Sequence, residues 1–317
     1  MNKIILLIVV AMATTQTFSQ CACCAGAGLG SSNGDYNNGI LTLPKHMLVT
    51  EIYADFRDIK NGTASEGDEK LLRSMFISSV GARYGITDKI NVSALLPYVF
   101  LYTNSGNDKG IGDLILMGTY KVFSKSMFNI ALQAGVELPT GVQKDSNFDN
   151  TTVIVGSGSY DPMFGVSFSE KWNKLSLQGS GLYKHTGKGF NDNYYGSLAV
   201  QNLVLSYSIK GENNFCAVNN TNTEKNEKSS NLDMENESNF GVNVFGGYYG
   251  EWLDKLKEDG IVDEDSGHYL GFVALGTNVT FKKWTFPLTL SVPIINNVYG
   301  EQNSAGFRLH LGIIKAL

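Results

Sequence analysis

The residue types that could do chemistry are few, and the densest group sits near the start of the chain. Cys21, Cys23 and Cys24 form the run CACC, and a fourth cysteine, Cys216, stands far downstream. Clustered thiolates suit soft ions such as Cu(I) or Zn(II). In an oxidising envelope the same thiols would pair, locally or with Cys216, and four cysteines leave the connectivity open. Cys21 is also where a lipoprotein would carry acyl chains, although the bulky Gln20 is an awkward residue to precede it.

Ser157, His185 and His268 could serve a lipid hydrolase at an outer-membrane rim, but no nucleophile elbow accompanies them. No enzyme activity is expected. The run Gly26-x-Gly28-x-Gly30 follows no strand and opens no helix, so it fails the context of a nucleotide-binding loop. Glu51, Asp55 and Glu137 could form an acid/base pair. Set among Arg57, Arg73 and Arg83, they fit better as charges lining a channel.

The elements that carry these residues alternate. In FNIALQAGVELPTG, Phe128, Ile130, Leu132, Val136 and Leu138 share one parity, and Asn129, Ala131, Gln133, Gly135 and Glu137 the other. Strand side chains alternate faces, so this is a ribbon with one greasy and one polar face. Segments of this kind recur from Met47 to Leu317, about twelve in all, most of them long enough to cross a bilayer at a tilt. Long connections rich in Gly, Asn, Asp and Ser take turns with tight ones such as Gly85–Asp88, Ser124–Ser126 and Lys282–Lys283. The link at 210–239 breaks that rule. It is a polar insert of about thirty residues with a disordered composition, set where a tight turn is due. It is either an insertion or the cover for two unseen strands. The run EWLDKLKEDG, from Glu251 to Gly260, has the spacing of a short amphipathic helix within a loop.

The chain opens with Lys3, an apolar run from Ile4 to Met12 and the small-x-small triplet Thr17-Phe18-Ser19. This pattern predicts a signal peptide at 1–19, cleaved near Ser19. A Cys/Gly-rich periplasmic tail is expected at 20–45 and the barrel at 46–317. No later apolar stretch is long enough for a membrane helix. Charged residues make up only 17% of the chain, with 35 glycines and a net charge of −5. That balance gives no reason to expect nucleic-acid binding.

Alternation alone does not separate a membrane barrel from a soluble sandwich; the polar parity does. Facing bulk water it would be crowded with Lys, Glu and Arg, yet it holds mainly small neutral residues. Glu51, Asp55, Arg57, Arg73, Arg83, Lys121, Gln133, Glu137, Arg308 and His310 are the candidates for a confined, hydrated lumen. The fold class expected is therefore all-β, a transmembrane antiparallel up-and-down barrel of about twelve strands, closed because open sheet edges are not tolerated in lipid.

The runs GIGDLILMGTYKVF (Gly110 to Phe123), VELPTG (Val136 to Gly141) and GSGSYDPMFGVSFSEKW (Gly156 to Trp172) resemble the MetA-type (meta-pathway of phenol degradation) family of outer-membrane transporters. The resemblance covers most of the chain from about Glu51 onward and is densest between Gly110 and Tyr207. It implies a barrel in the outer membrane of a Gram-negative-type bacterium, taking up small, often hydrophobic or aromatic, molecules. The expected partners are outer-membrane lipid, a small-molecule solute and the barrel-assembly machinery, with no cofactor. A non-transport envelope barrel, structural or metal-binding through the CACC tail, is the competing expectation.

Overall fold

Alternation sets which face of each strand turns inward, and burial follows it residue by residue. The computed structural model describes residues 42–60, 72–103, 107–141, 143–145, 152–210 and 240–317. The predicted signal peptide, tail residues 20–41, the insert at 211–239 and the four cysteines lie outside the described residues.

The wall is built from twelve long strands: β1 (Leu48–Lys60), β2 (Leu72–Thr87), β3 (Ile90–Thr103), β4 (Leu114–Lys125), β5 (Phe128–Leu138), β6 (Asp161–Trp172), β7 (Leu175–Lys184), β8 (Leu198–Lys210), β9 (Phe240–Leu253), β10 (His268–Phe281), β11 (Trp284–Val298) and β12 (Ser304–Ala316). Each pairs antiparallel with the next. β12 returns to β1, from Val49 opposite Ala316 to Lys60 opposite Ser304, so the sheet closes. A short strand, Asn107–Ile111, pairs with Tyr98–Tyr102 and extends β4 across a break at Gly112–Asp113.

In β1 the residues Val49, Glu51, Tyr53, Asp55 and Arg57 are buried, while Ile52 between them is 51% exposed. Around the outer wall Val80, Leu132, Leu203, Leu275 and Ile294 are likewise exposed, Leu275 to 66%. A band of large aliphatic side chains on the convex face is what hydrocarbon solvates and water does not. Tyr84, Tyr120, Tyr183 and Trp284 stand exposed near strand ends, at the level of interfacial girdles. The protein is thus a membrane barrel with its greasy face outward.

The hairpins β4–β5, β6–β7 and β10–β11 each reverse through a left-handed residue: Ser126, Asn173 and Lys282, with φ of 54°, 52° and 55°. β8 and β9 pair directly, Lys210 opposite Val242, so no further strands lie between them in the wall. Lys210 and Phe240, the residues that flank the insert, both stand at the short-turn end.

The expected helix at Glu251–Gly260 is not formed. Glu251 to Leu253 complete β9. Lys257–Glu258 and Ile261–Val262 then make a small hairpin, whose Asp259-Gly260 turn has φ of 50° and 82°. Asp-Gly with both φ positive is the type I′ hairpin turn, and it outcompetes the helical spacing of Trp252, Leu253 and Leu256.

Two local features shape the ends. Residues 42–46 run along the inside of the short-turn end. Thr42 donates to Asp88 O at 2.8 Å, the Lys45 amide donates to Asp88 Oδ1 at 3.0 Å, and Leu43 is buried with Val49, Tyr53 and Ile314. Gly85 allows that close approach, since a Cβ there would lie 2.1 Å from Pro44 O. At the β11–β12 seam, two prolines interrupt the ladder. Gly312 leaves room for the Pro287 ring, and the registered pairs end at Ser291 opposite Arg308. Beyond Pro293, the Asn296 side chain takes the place of ladder bonds, exchanging two hydrogen bonds with the Ala305 backbone at 2.8 and 3.1 Å.

Candidate functional site

The inward parity of β1, β2, β9, β10 and β12 carries an ionic belt. Glu51 accepts from Arg83 at 2.8 and 3.1 Å and from Tyr53 Oη at 3.0 Å. Asp55 pairs with Arg57 at 3.3 Å. Glu251 accepts from Arg308 at 3.2 Å and from Tyr249 Oη at 2.8 Å, and lies 3.0 Å from His268 Nε2. Arg57 and Arg308 stand opposite each other in the β1–β12 register, a like-charge pairing that an acid beside each one offsets. His310 stacks on Tyr53 with ring centroids 5.2 Å apart and reaches to 4.0 Å from Asp55.

The Arg308–Glu251 contact is a chord. It joins β12 to β9 across the lumen, past two intervening strands, and the guanidinium lies 4.1 Å from the Phe272 ring centroid. Three carboxylates (Glu51, Asp55, Glu251) and three guanidinium groups (Arg57, Arg83, Arg308) balance, and all six are buried. Side chains rather than open water fill the lumen at this level, as a barrel of this strand number allows.

Toward the long-loop end the inner wall turns apolar. Met163, Leu182, Leu198, Val200, Leu270 and Phe272 pack into one buried cluster with Tyr249, Leu253 and loop residues Tyr195 and Leu256. The polar parity of the sequence is thus greasy over part of its height. The loop above is pinned by Tyr194, whose hydroxyl lies 2.6 Å from Ser197 Oγ. Burial pushes the pKa of that hydroxyl above the ordinary tyrosine value.

Of the remaining candidates, Glu137 pairs with Lys184 at 2.9 Å, both fully buried. Lys121 and Gln133 lie on the inward parity of β4 and β5, partly buried. Arg73 is exposed at the start of β2, where the register with β3 slips between Leu72 and Ser74. Ser157 and His268 are committed to different clusters, the first to Asp113 and the second to Glu251, and His185 lies 3.4 Å from Ser197. Among the described residues no group of three or more His, Cys, Asp or Glu side chains is arranged to hold a metal ion.

The three runs singled out in the sequence converge on one acid. Asp113 Oδ1 accepts from the Gly141 amide at 2.6 Å, and Oδ2 accepts from the Ser157 amide at 2.5 Å and its hydroxyl at 3.0 Å. A Cβ on Gly156 would fall 2.4 Å from Asp113 Oδ1, and one on Gly141 2.7 Å, so both positions must be glycine for the acid to seat. This latch ties the start of β4 to the loop between β5 and β6. Removing Asp113 would take the acceptor from three donors, the two on Ser157 buried and the Gly141 amide partly so. Asp113→Ala should lower stability by about 3 kcal/mol or more, measured as the urea midpoint of the refolded barrel.

A groove of about 530 Å³ opens on the outer wall, lined by Phe164, Val166, Tyr183, Gln201, Trp252 and Tyr269 over the small residues Gly181, Ala199 and Gly250. It faces lipid, and Gln201 there donates to Tyr269 Oη at 3.2 Å.

A closed sheet of long strands, apolar outside and charged within, with tight turns at one end and long loops at the other, defines an outer-membrane-type β-barrel. The chain belongs to the family described as "Putative MetA-pathway of phenol degradation", which it matches over residues 32–292. It is similar to the crystal structure of an outer membrane channel from Pseudomonas putida F1, with 15% identity, a TM-score of 0.60, and coverage of 90% of this chain and 99% of that one. It is also similar to the translocator domain of the autotransporter NalP from Neisseria meningitidis, with 11% identity, a TM-score of 0.46, and coverage of 95% and 99%. At 15% identity the likeness to the Pseudomonas putida channel is one of fold. No curated protein matches the chain.

Proposed function

We propose that this protein is a passive outer-membrane channel for small hydrophobic molecules, aromatic ones among them, with the long loops outside and the short turns in the periplasm. The observation that carries the reading is the apolar inner cluster around Met163, Leu182 and Phe272, directly beside the ionic belt. A polar porin has no use for such a lining, whereas an apolar solute entering through the loops is received by it. Passage then requires the Arg308–Glu251 chord to swing aside. An aromatic solute can take the place of the Phe272 ring against the Arg308 guanidinium, which keeps that charge solvated while it moves. No energy input and no covalent step is involved.

The chain would reach the outer membrane after cleavage near Ser19 and be inserted by the barrel-assembly machinery. The lumen candidates Glu51, Asp55, Arg57, Arg83, Arg308 and His310 set its charge selectivity. Cys21, Cys23, Cys24 and Cys216 belong to the periplasmic side, as a disulfide or a thiol-metal site.

The test is reconstitution of the full chain. Small conductance steps in planar bilayers, together with faster entry of a monoaromatic probe into proteoliposomes than into protein-free liposomes, are the expected outcome. A folded, heat-modifiable barrel with neither conductance nor probe flux would overturn the proposal in favour of a structural envelope protein.

A further inference from the structure

Below the latch, the strand register assembles a row of oxygens that neither the belt nor the conduit uses. Glu137 on β5 stands opposite Asp161 on β6. Thr186 follows two residues after Lys184 on β7, and the amide of its neighbour Gly187 donates to Asp161 Oδ1 at 3.0 Å. Glu137, Asp161 and Thr186 are each 0% exposed. Each also holds one oxygen with no hydrogen-bond partner: Glu137 Oε1, Asp161 Oδ2 and Thr186 Oγ1. Their other bonds are made, for Glu137 Oε2 accepts from Lys184 Nζ at 2.9 Å and Asp161 Oδ1 accepts from Ser159 Oγ and Gly187 N.

Chemistry points the same way. Glu137 and Asp161 face each other across the β5–β6 pair, and the ammonium of Lys184 sits on the other oxygen of Glu137. A carboxylate oxygen left without a partner in a dry interior is destabilising. The orphaned atoms are two carboxylate oxygens and a hydroxyl, all hard donors, with no thiol or imidazole among them.

We propose that Glu137 Oε1, Asp161 Oδ2 and Thr186 Oγ1 bind a divalent cation of the calcium class. Two carboxylates and a hydroxyl supply part of the shell, and water completes it. Calcium suits the pocket better than magnesium, which gives up its own water reluctantly. The bound ion supplies the partner these three oxygens lack and cross-links β5, β6 and the segment after β7, immediately beneath the Asp113 latch. The site is structural and is independent of what the lumen conducts.

The test uses the full-length barrel refolded in detergent free of lipopolysaccharide, so that lipid phosphates do not compete. Calcium chloride titrated by calorimetry should show one ion per chain. At saturating calcium the temperature of conversion to the unfolded gel form should rise by at least about 4 °C over the value in EGTA. Asp161→Asn and Thr186→Val should each weaken binding at least about tenfold. Thr186→Val, the milder change, decides the matter if Asp161→Asn does not fold. An unchanged midpoint and no binding heat in the wild-type protein would overturn the proposal. So would full calcium affinity in the variants.

Discussion

Glu251→Ala should unfold at a markedly lower urea concentration than the wild-type barrel, with a loss of about 3–5 kcal/mol, because it strips the partner from a buried guanidinium. Arg308 would keep its stacking on Phe272 but face Arg57 across the β1–β12 pair with no acid of its own. His268 and Tyr249 lose their acceptor in the same stroke. The double variant Glu251→Ala, Arg308→Ala should recover part of the loss. The two single effects are therefore strongly non-additive, and a double-mutant cycle on urea midpoints in lipid measures the coupling. A cycle that sums to the two single effects would mean the chord contributes nothing as a pair. The double variant should also conduct more than wild type in planar bilayers, since both ends of the bridge across the lumen are gone.

Leu132→Arg should be the most disruptive change on the outer wall. Leu132 lies mid-strand in β5, is 49% exposed, and points away from the lumen. Near the bilayer midplane an arginine on the lipid face costs about 2–4 kcal/mol. Equilibrium unfolding in phospholipid vesicles reads this directly. Leu132→Ala, which only shortens the side chain, should cost less. If Leu132→Arg were as stable as the alanine variant, the greasy face would not be in hydrocarbon.

The wall was legible in the sequence because period-two patterning is a local signal that survives in every strand. Leu132 faces outward as the parity of its strand required, with Ala131 and Glu137 buried on the opposite face, and Arg308 and His310 face inward from the last strand. What escaped was what depends on distance. Glu251 and Arg308 are separated by 57 positions, and nothing in one sequence says that they meet. Glu251 also opens the run EWLDKLKEDG, whose helical spacing masks the alternation that continues through Leu253 and puts Glu251 on the inner face. Lys184 shares the parity of Ser176 and Gln178 and so carries the signal of an inward charge, but its pairing with Glu137, 47 positions away, is set only by the assembled sheet. The apolar inner cluster was hidden because Met163 and Leu182 each stand alone on the polar parity of their strands, and only closure of the barrel gathers them. Arg73 shows the opposite failure, a correct parity carried past the point where the strand's register slips. The Asp113 latch was half visible, for its three runs were recognisable but their convergence was not.

The seam between β11 and β12 has a mechanical consequence. Where Pro287 and Pro293 withhold their amide protons, neighbouring strands are joined by one asparagine side chain and by packing instead of a regular ladder. A hoop laced unevenly yields where the lacing is sparse. Under lateral stress from the surrounding lipid, this barrel would deform along that line before any other, which makes its cross-section compliant in one direction and stiff in the rest.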